Sequence, residues 1–147
     1  MPAGYEFRPR RAVVTARALL VAVWLGVAGL LIASFTILEH YGAIDRVLTV
    51  AFAAAGSFII VRQAMVRAVP TDEGLTVRNL MITTHVTWEE IVAVNFSPHR
   101  PWVSLDLADG DTLAVMAIQS ADGEFAQREA QRLADLVATH EGTEQVD

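Results

Sequence analysis

ALLVAVWLGVAGLLIASFTIL, residues 18–38, is a run of 21 residues without a charge, and it decides how the rest of the chain is read. A helix rises about 1.5 Å per residue, so about 20 apolar residues cross a hydrocarbon core about 30 Å thick. A second apolar run, VLTVAFAAAGSFIIV at 47–61, reaches that length only with the residues beside it. The sequence predicts a transmembrane hairpin at 18–66, with spans at about 18–38 and 44–66 and an outer loop at 39–46.

A cleaved signal peptide is the alternative explanation of the first run, because it also begins with a basic stretch. The apolar part of a signal peptide is usually about 7–15 residues long and ends at an A-x-A-like site. The run at 18–38 is longer, and no convincing cleavage site follows it. We therefore expect an uncleaved span.

Arginine positions predict the orientation of the hairpin, since cytoplasmic flanks of membrane helices carry an excess of basic residues. Four arginines lie in the segment 1–17, and Arg62 and Arg67 follow the second run. The loop 39–46 holds only Arg46 against two acidic residues. We expect a multi-pass protein of a bacterial plasma membrane, with a cytoplasmic N-terminal segment at 1–17 and both termini in the cytoplasm.

Charge divides the chain into two unlike halves. Residues 1–67 carry seven Arg against three acidic residues, a net charge of +4, whereas residues 68–147 carry four Arg against fourteen, a net charge of −10. An acidic domain repels phosphate polyanions, so we expect no nucleic acid partner, and binding to an anionic lipid surface would need a local cluster of Arg. The chain has no cysteine, which excludes disulfides and thiol chemistry.

Beyond Pro70 the pattern changes to alternating apolar residues, which is typical of half-buried strands. Asp109-Gly110 between two such runs predicts a tight hairpin. Residues 122–140 carry an apolar stripe with helical spacing, and the polar residues 141–147 are expected to form a flexible tail. The predicted fold class is α+β, mainly β: short antiparallel strands at 67–140 that form a small barrel or sandwich, closed by the terminal helix.

Several motifs in this region resemble those of bacterial PH-like domains. They are GLTVRN at 74–79, VTWEEI at 86–91, WVSLDLADGDTLAV at 102–115 and AIQSADG at 117–123. More narrowly, they resemble the group named after a low-molecular-weight protein antigen of high-GC bacteria, whose members commonly place such a domain after two membrane spans. The resemblance implies a PH-like barrel, and most members of the group have no assigned activity. Members often carry Arg where this chain has Thr83, Thr84 and His85, which weakens a phosphate site on that strand.

We find no catalytic, cofactor or metal-ligand motif, so the chain is not expected to be an enzyme or to need a cofactor. Two functions remain. The first is a membrane-anchored interaction module, an accessory or scaffold subunit that binds another membrane protein or complex through His99, Arg100 and Trp102, because Trp and Arg are enriched in interface hot spots. The second is binding of anionic lipid headgroups by Arg62, Arg67, Arg78 and Arg100. Trp88 lies on the apolar face of its strand and is assigned to the core.

Topology gives the first test. Six Arg flank the outer ends of the hairpin and one lies in its loop, which predicts cytoplasmic termini and an external loop. Because alkaline phosphatase is active only outside the cytoplasm, a fusion at Asp147 should be inactive and one inserted within 39–46 should be active. Phosphatase activity from the Asp147 fusion would contradict this orientation.

Overall fold

In a computed structural model, which describes residues 5–38, 40–97 and 99–143 of the 147, the chain forms three α-helices and six β-strands. The elements in chain order are α1 (Arg10–Thr36), α2 (Ala43–Ala64), β1 (Arg67–Pro70), β2 (Gly74–Arg78), β3 (Thr83–Thr87), β4 (Ile91–Asn95), β5 (Trp102–Leu107), β6 (Thr112–Gln119) and α3 (Glu124–Thr143). The predicted α+β class is confirmed. The chain divides into two compact units, a helical unit of residues 12–64 and a soluble unit that combines the described residues up to Arg11 with those from Met65 onward.

The helical unit contains the two predicted apolar helices. Both are long and apolar enough to cross a membrane, by length and composition. Large apolar side chains remain exposed along them, such as Ile32 at 68% and Phe52 at 75%. The helices are joined by a hydrogen bond from Trp24 Nε1 to Ser57 Oγ at 3.1 Å. At the loop end, Arg46 donates to Ser34 Oγ and to the Ser34 carbonyl oxygen. Glu39 of the predicted outer loop lies outside the described residues.

Two three-stranded antiparallel sheets make up the β part of the soluble unit, with orders β1-β2-β3 and β4-β5-β6. The predicted hairpin at Asp109-Gly110 is confirmed, since β5 pairs with β6 across it and Gly110 has a φ of +90°. The prediction of a barrel is wrong, because the six strands in the described part of the chain form two separate sheets rather than a closed cylinder. A 3₁₀ turn, Trp88–Glu90, separates β3 from β4, so the chain leaves the first sheet there.

A side chain joins the two sheets where a closed barrel would have a backbone ladder. The amide of Asn79, just beyond β2, donates to the Ala114 carbonyl oxygen at 2.7 Å. Its Oδ1 accepts the backbone N–H of Met116 at 3.1 Å. Asn79 therefore supplies to β6 the donor and acceptor that a neighbouring strand would supply.

The core lies between the sheets and α3. The apolar stripe predicted for the terminal helix is confirmed, since Ala126, Ala130, Leu133 and Val137 are all buried. Trp88 is 5% exposed, and its Nε1 donates to the Thr71 carbonyl oxygen at 3.0 Å, so its assignment to the core is also confirmed. Its ring stacks on His140, with centroids 4.6 Å apart.

Residues 5–11, which we call the docked segment, belong to the soluble unit although the rest of α1 and all of α2 lie between them and β1 in the chain. Phe7 and Ala68 form an isolated antiparallel bridge, with N···O distances of 2.8 and 3.1 Å. The Phe7 side chain is fully buried. The arginines of residues 1–17 predicted only a cytoplasmic flank, and no pattern in this segment predicted the pairing with β1.

The end of the chain differs from the predicted tail. The backbone of α3 continues to Thr143, so the first three residues of the predicted tail at 141–147 are helical. Residues 144–147 lie outside the described part of the chain. At its other end the helix begins at Glu124, after a 3₁₀ turn at Ser120–Asp122, rather than at Asp122.

Leu133→Asp should unfold the soluble unit. The side chain is 0% exposed, and a carboxylate placed there has no partner, which costs about 3–5 kcal/mol. Ala138→Asp places the same charge on the exposed face of the same helix and should leave the melting temperature nearly unchanged. Near-ultraviolet circular dichroism of the full chain in detergent would follow the packing of Trp88 in both variants. A cooperative melt of Leu133→Asp at the wild-type temperature would contradict the assigned core.

Candidate functional site

The sequence-predicted partner site lies in the loop between β4 and β5. This loop is held at both ends, because Arg100 N donates to the Ser97 carbonyl oxygen at 3.0 Å and Ser120 N donates to the Pro101 carbonyl oxygen at 3.0 Å. The Arg100 guanidinium also donates from Nη1 to Ser104 Oγ at 2.9 Å. His99 and Arg100 are exposed, and Pro98 lies outside the described residues. The loop therefore presents two basic side chains on a fixed backbone.

Trp102 begins β5 opposite Gln119 of β6. The residue is partly exposed. Only part of its surface is therefore available to a partner. His99, Arg100 and Trp102 nevertheless lie together at one end of β5.

The four arginines predicted to bind a lipid headgroup do not form one group within the soluble unit. Arg67 and Arg78 are directly opposite each other in the β1–β2 register. Like charges in that arrangement are unfavourable, and Glu6 offsets part of the repulsion through its contact with Arg67 Nη1 at 3.3 Å. Arg100 belongs to the other sheet, and Arg62 belongs to the helical unit.

A different cluster of arginines surrounds a cavity of about 520 Å³ between the docked segment and the first turns of α3. We call it the arginine pocket. Its basic residues are Arg8, Arg10, Arg128 and Arg132, and the aromatic residues Tyr5 and Phe125 with the carboxylates Glu6 and Glu129 complete its wall. The α3 members are spaced by three and four residues, which places them on one helix face.

Glu129 is the buried centre of this pocket, with an exposure of 6%. It accepts a hydrogen bond from the Tyr5 hydroxyl and lies 3.2 Å from Arg132 Nη1. Burial, and then the hydrogen bond and negative charge of Glu129, raise the pKa of Tyr5, while Arg132 acts in the opposite direction. Tyr5 therefore keeps its proton at neutral pH and acts as a donor.

Aromatic rings and carboxylates hold the arginines in place. Arg10 lies over the Phe125 ring at 4.0 Å, and Arg132 lies over the Tyr5 ring at 4.5 Å. Arg8 forms an ion pair with Glu6. These contacts fix the positions of three guanidinium groups around the pocket.

Asp122 anchors the docked segment at the point where α1 begins. Its two carboxylate oxygens accept the backbone N–H groups of Arg10 and Arg11, each at 3.0 Å. A carboxylate at a helix N-terminus satisfies otherwise unpaired donors and favours the positive end of the helix dipole. Arg11 Nη1 also donates to the Ala121 carbonyl oxygen at 3.0 Å.

Of the two segments that form the pocket, only one has a recognisable pattern in the sequence. FAQREAQR at 125–132 shows aromatic and charged residues at helical spacing. The other half, YEFRPRR at 5–11, is too short for a periodicity argument and meets α3 only through the long-range Phe7–Ala68 pairing.

Comparison with known proteins shows what residues 65–136 are similar to. Residues 65–136 match the model of the family described as bacterial PH domain. Those residues, just under half of the chain, are similar to that family, and we call the unit that contains them the PH domain. Uncharacterized proteins of Mycobacterium tuberculosis and Mycobacterium bovis are each 37% identical over 67 residues, which is 46% of this chain and 44% of the relative. The match thus spans less than half the length of those relatives. No solved structure matches the chain significantly. The narrower resemblance to the antigen group stays a prediction.

In this PH domain, the strand with Thr83, Thr84 and His85 is β3, at the edge of the first sheet. Thr83 and His85 are exposed, and His85 Nδ1 lies 3.0 Å from Thr76 Oγ1. Within the residues that the structure describes, no group of three or more His, Cys, Asp or Glu side chains could hold a metal ion. Arginine side chains are found instead on β1 and β2, in the β4–β5 loop and around the arginine pocket.

Tyr5→Phe should lower the stability of the PH domain by about 1–3 kcal/mol, because the buried Glu129 carboxylate loses one of its two partners. Tyr41→Phe makes the same chemical change in the helical unit, where the hydroxyl contacts Thr49, and serves as the matched control. Thermal melts followed by near-ultraviolet circular dichroism would compare the two variants. Equal melting temperatures for Tyr5→Phe and wild type would show that the docked segment does not contribute to the folded domain.

Proposed function

We propose that the chain is a membrane-anchored PH-domain interaction module, without enzymatic activity, which serves as an accessory or scaffold subunit of a membrane or cell-envelope assembly. The single observation that carries the proposal is the joining of a bacterial PH domain to two apolar helices. The PH family match supports the interaction role, and the helices support the anchor.

Exposure along the helices supports the membrane anchor. In α1, Leu25 and Ile32 are each 68% exposed, and in α2 Phe52 is 75% exposed and Phe58 59%. Exposing so much apolar surface to water is unfavourable, at about 25 cal/mol per Å², whereas lipid tails can cover it. Ser57 satisfies its hydroxyl within α2 by donating to the Ala53 carbonyl oxygen at 2.7 Å, as a hydroxyl in lipid must.

Pairing of the docked segment with β1 supports the proposed topology. Phe7 precedes α1 and Ala68 follows α2, yet the two residues share backbone hydrogen bonds. If both helices cross the bilayer, both outer ends of the hairpin must therefore lie on one side. The arginine bias favours the cytoplasmic side of a bacterial plasma membrane.

The β4–β5 loop is the proposed surface for a protein partner. Its exposed His99 and Arg100 stand on a backbone fixed by Ser97 and Ser120, so docking orders few additional groups. The exposed part of Trp102 adds an aromatic contact beside them. The net charge of −10 on residues 68–147 favours a protein over a lipid surface as the main partner.

Lipid headgroup binding is the second candidate function, and the facing pair of Arg67 and Arg78 favours it. An anionic headgroup placed beside both guanidinium groups would relieve their repulsion. Glu6 already neutralises part of this charge through Arg67, which leaves the protein partner as the first choice.

The docking loop can be tested with the double variant Arg100→Ala and Trp102→Ala in the full chain, purified from bacterial membranes in mild detergent. A membrane protein should co-purify with wild type at a stable yield. Its yield with the double variant should be lower by about tenfold or more, as expected for the loss of hot-spot residues. Arg78→Ala removes the same charge from the other sheet and should retain the partner.

Because Trp102 is partly buried, the single variant Arg100→Ala is examined alongside and should give a smaller loss without a change in melting temperature. Full retention of every co-purifying protein by the double variant would rule out the loop as the docking site. If wild type retains no membrane protein at all, the scaffold role is wrong.

A further inference from the structure

We propose that the arginine pocket is a binding site for a phosphate group, either a phosphorylated small molecule or the phosphate of a lipid headgroup. This site is separate from the β4–β5 loop, and free phosphate binding does not depend on the function proposed above. Only the lipid source rests on the proposed membrane anchor.

Charge distinguishes this pocket from the rest of the PH domain. Four arginines and two glutamates line it, a local excess of two positive charges. Residues 68–147 as a whole carry a net charge of −10. They contain only four arginines, and two of these, Arg128 and Arg132, line the pocket. A local cluster of Arg is what an anion needs in order to bind to an acidic domain.

The carboxylates in the pocket are already neutralised. Glu129 is bound by Tyr5 and Arg132, and Glu6 is bound by Arg8 and Arg67. They therefore act to position arginines rather than to attract a cation.

Two arginines supply the remaining positive charge. Arg10 has no ion pair with any carboxylate in the described parts of the chain. Arg128 has only a long contact of 3.8 Å with Glu124, and the two side chains are 67% and 90% exposed. Such an exposed ion pair contributes little to stability, so Arg128 can exchange Glu124 for a ligand at little cost.

The ring contacts leave guanidinium donors for an oxyanion. The Cζ atoms of Arg10 and Arg132 lie 4.0 and 4.5 Å from the centroids of the Phe125 and Tyr5 rings. A guanidinium has five N–H donors, so the ring contact, and for Arg132 the bond to Glu129, leave other donors unused. A fork of two parallel N–H donors matches the oxygen spacing of a phosphate.

Size and position extend the argument to the source of the phosphate. A cavity of about 520 Å³ is larger than a bare phosphate and is within the usual range for small-molecule sites. Arg10 lies eight residues before Ala18 in α1, which is about 12 Å of helix. Only a short stretch of chain therefore separates a pocket residue from the predicted span, which makes a lipid phosphate one source to test.

The first test uses inorganic phosphate as the probe on the full chain in a nonionic detergent, with chloride used to keep the ionic strength constant. Calorimetric titration should show saturable binding. The double variant Arg10→Gln and Arg128→Gln should bind about tenfold more weakly or not at all, because it loses two forked donors. The control, Arg17→Gln with Arg46→Gln, removes the same charge outside the pocket and outside the arginines considered above for headgroup or partner binding, and should bind like wild type.

Arg10→Gln also removes the contact with Phe125, so Arg128→Gln alone is included, since that side chain is 67% exposed and its loss should not disturb folding. It should weaken binding with an unchanged melting temperature. Equal losses in the pocket and control variants would show a general charge effect and would overturn the site.

The second test identifies the source. The full chain is reconstituted in nanodiscs of phosphatidylcholine, with or without phosphatidylglycerol, and tightly retained lipid is counted by native mass spectrometry. Retention of phosphatidylglycerol by wild type and the control, but not by the pocket variant, supports a lipid phosphate. Saturable inorganic phosphate binding without selective lipid retention supports a soluble ligand.

No difference between wild type and the pocket variant with either probe would overturn the proposal. The loop variant Arg100→Ala with Trp102→Ala should still bind phosphate, so failure of the docking loop and failure of the pocket are separate results.

Discussion

Backbone pairing of Phe7 with Ala68 is the contact on which the rest of the structure depends. It joins a residue before α1 to a residue after α2, so the whole helical hairpin becomes an insertion within one folded domain. The buried Phe7 ring fixes the docked segment against the core. Closing a loop of this length costs little more entropy than closing one half as long, so a few buried contacts can maintain the pairing.

The docked segment also forms one side of the arginine pocket. It brings Tyr5, Arg8 and Arg10 to a face of α3 that carries Arg128, Glu129 and Arg132. Without it, Glu129 would lose its hydrogen bond from Tyr5 and Arg132 would lose the ring on which it stacks. Asp122 completes the arrangement by accepting the first two backbone N–H groups of α1. Stability of the domain and shape of the pocket thus rest on the same few contacts.

Local patterns predicted the local structure. Apolar length predicted the two helices, Asp109-Gly110 predicted the β5–β6 hairpin, and helical spacing predicted the buried stripe with Leu133. Each of these depends on residues close together in the chain. The barrel prediction failed because alternation predicts strands but not which strands pair, and the Asn79 link between the sheets leaves no periodic trace. The pocket depends on Phe7 meeting Ala68 across 61 positions, and no local pattern encodes that contact.

Amide hydrogen exchange at Phe7 and Ala68 in the full chain tests most directly whether the N-terminal segment completes the PH domain. Because each amide donates to the other residue's carbonyl oxygen, both should exchange as slowly as the amides of the buried strands, such as those of Val77 and Leu105. Fast exchange at Phe7, with Val77 still protected, would contradict the account, because the docked segment and the arginine pocket it forms would then not be part of the folded domain.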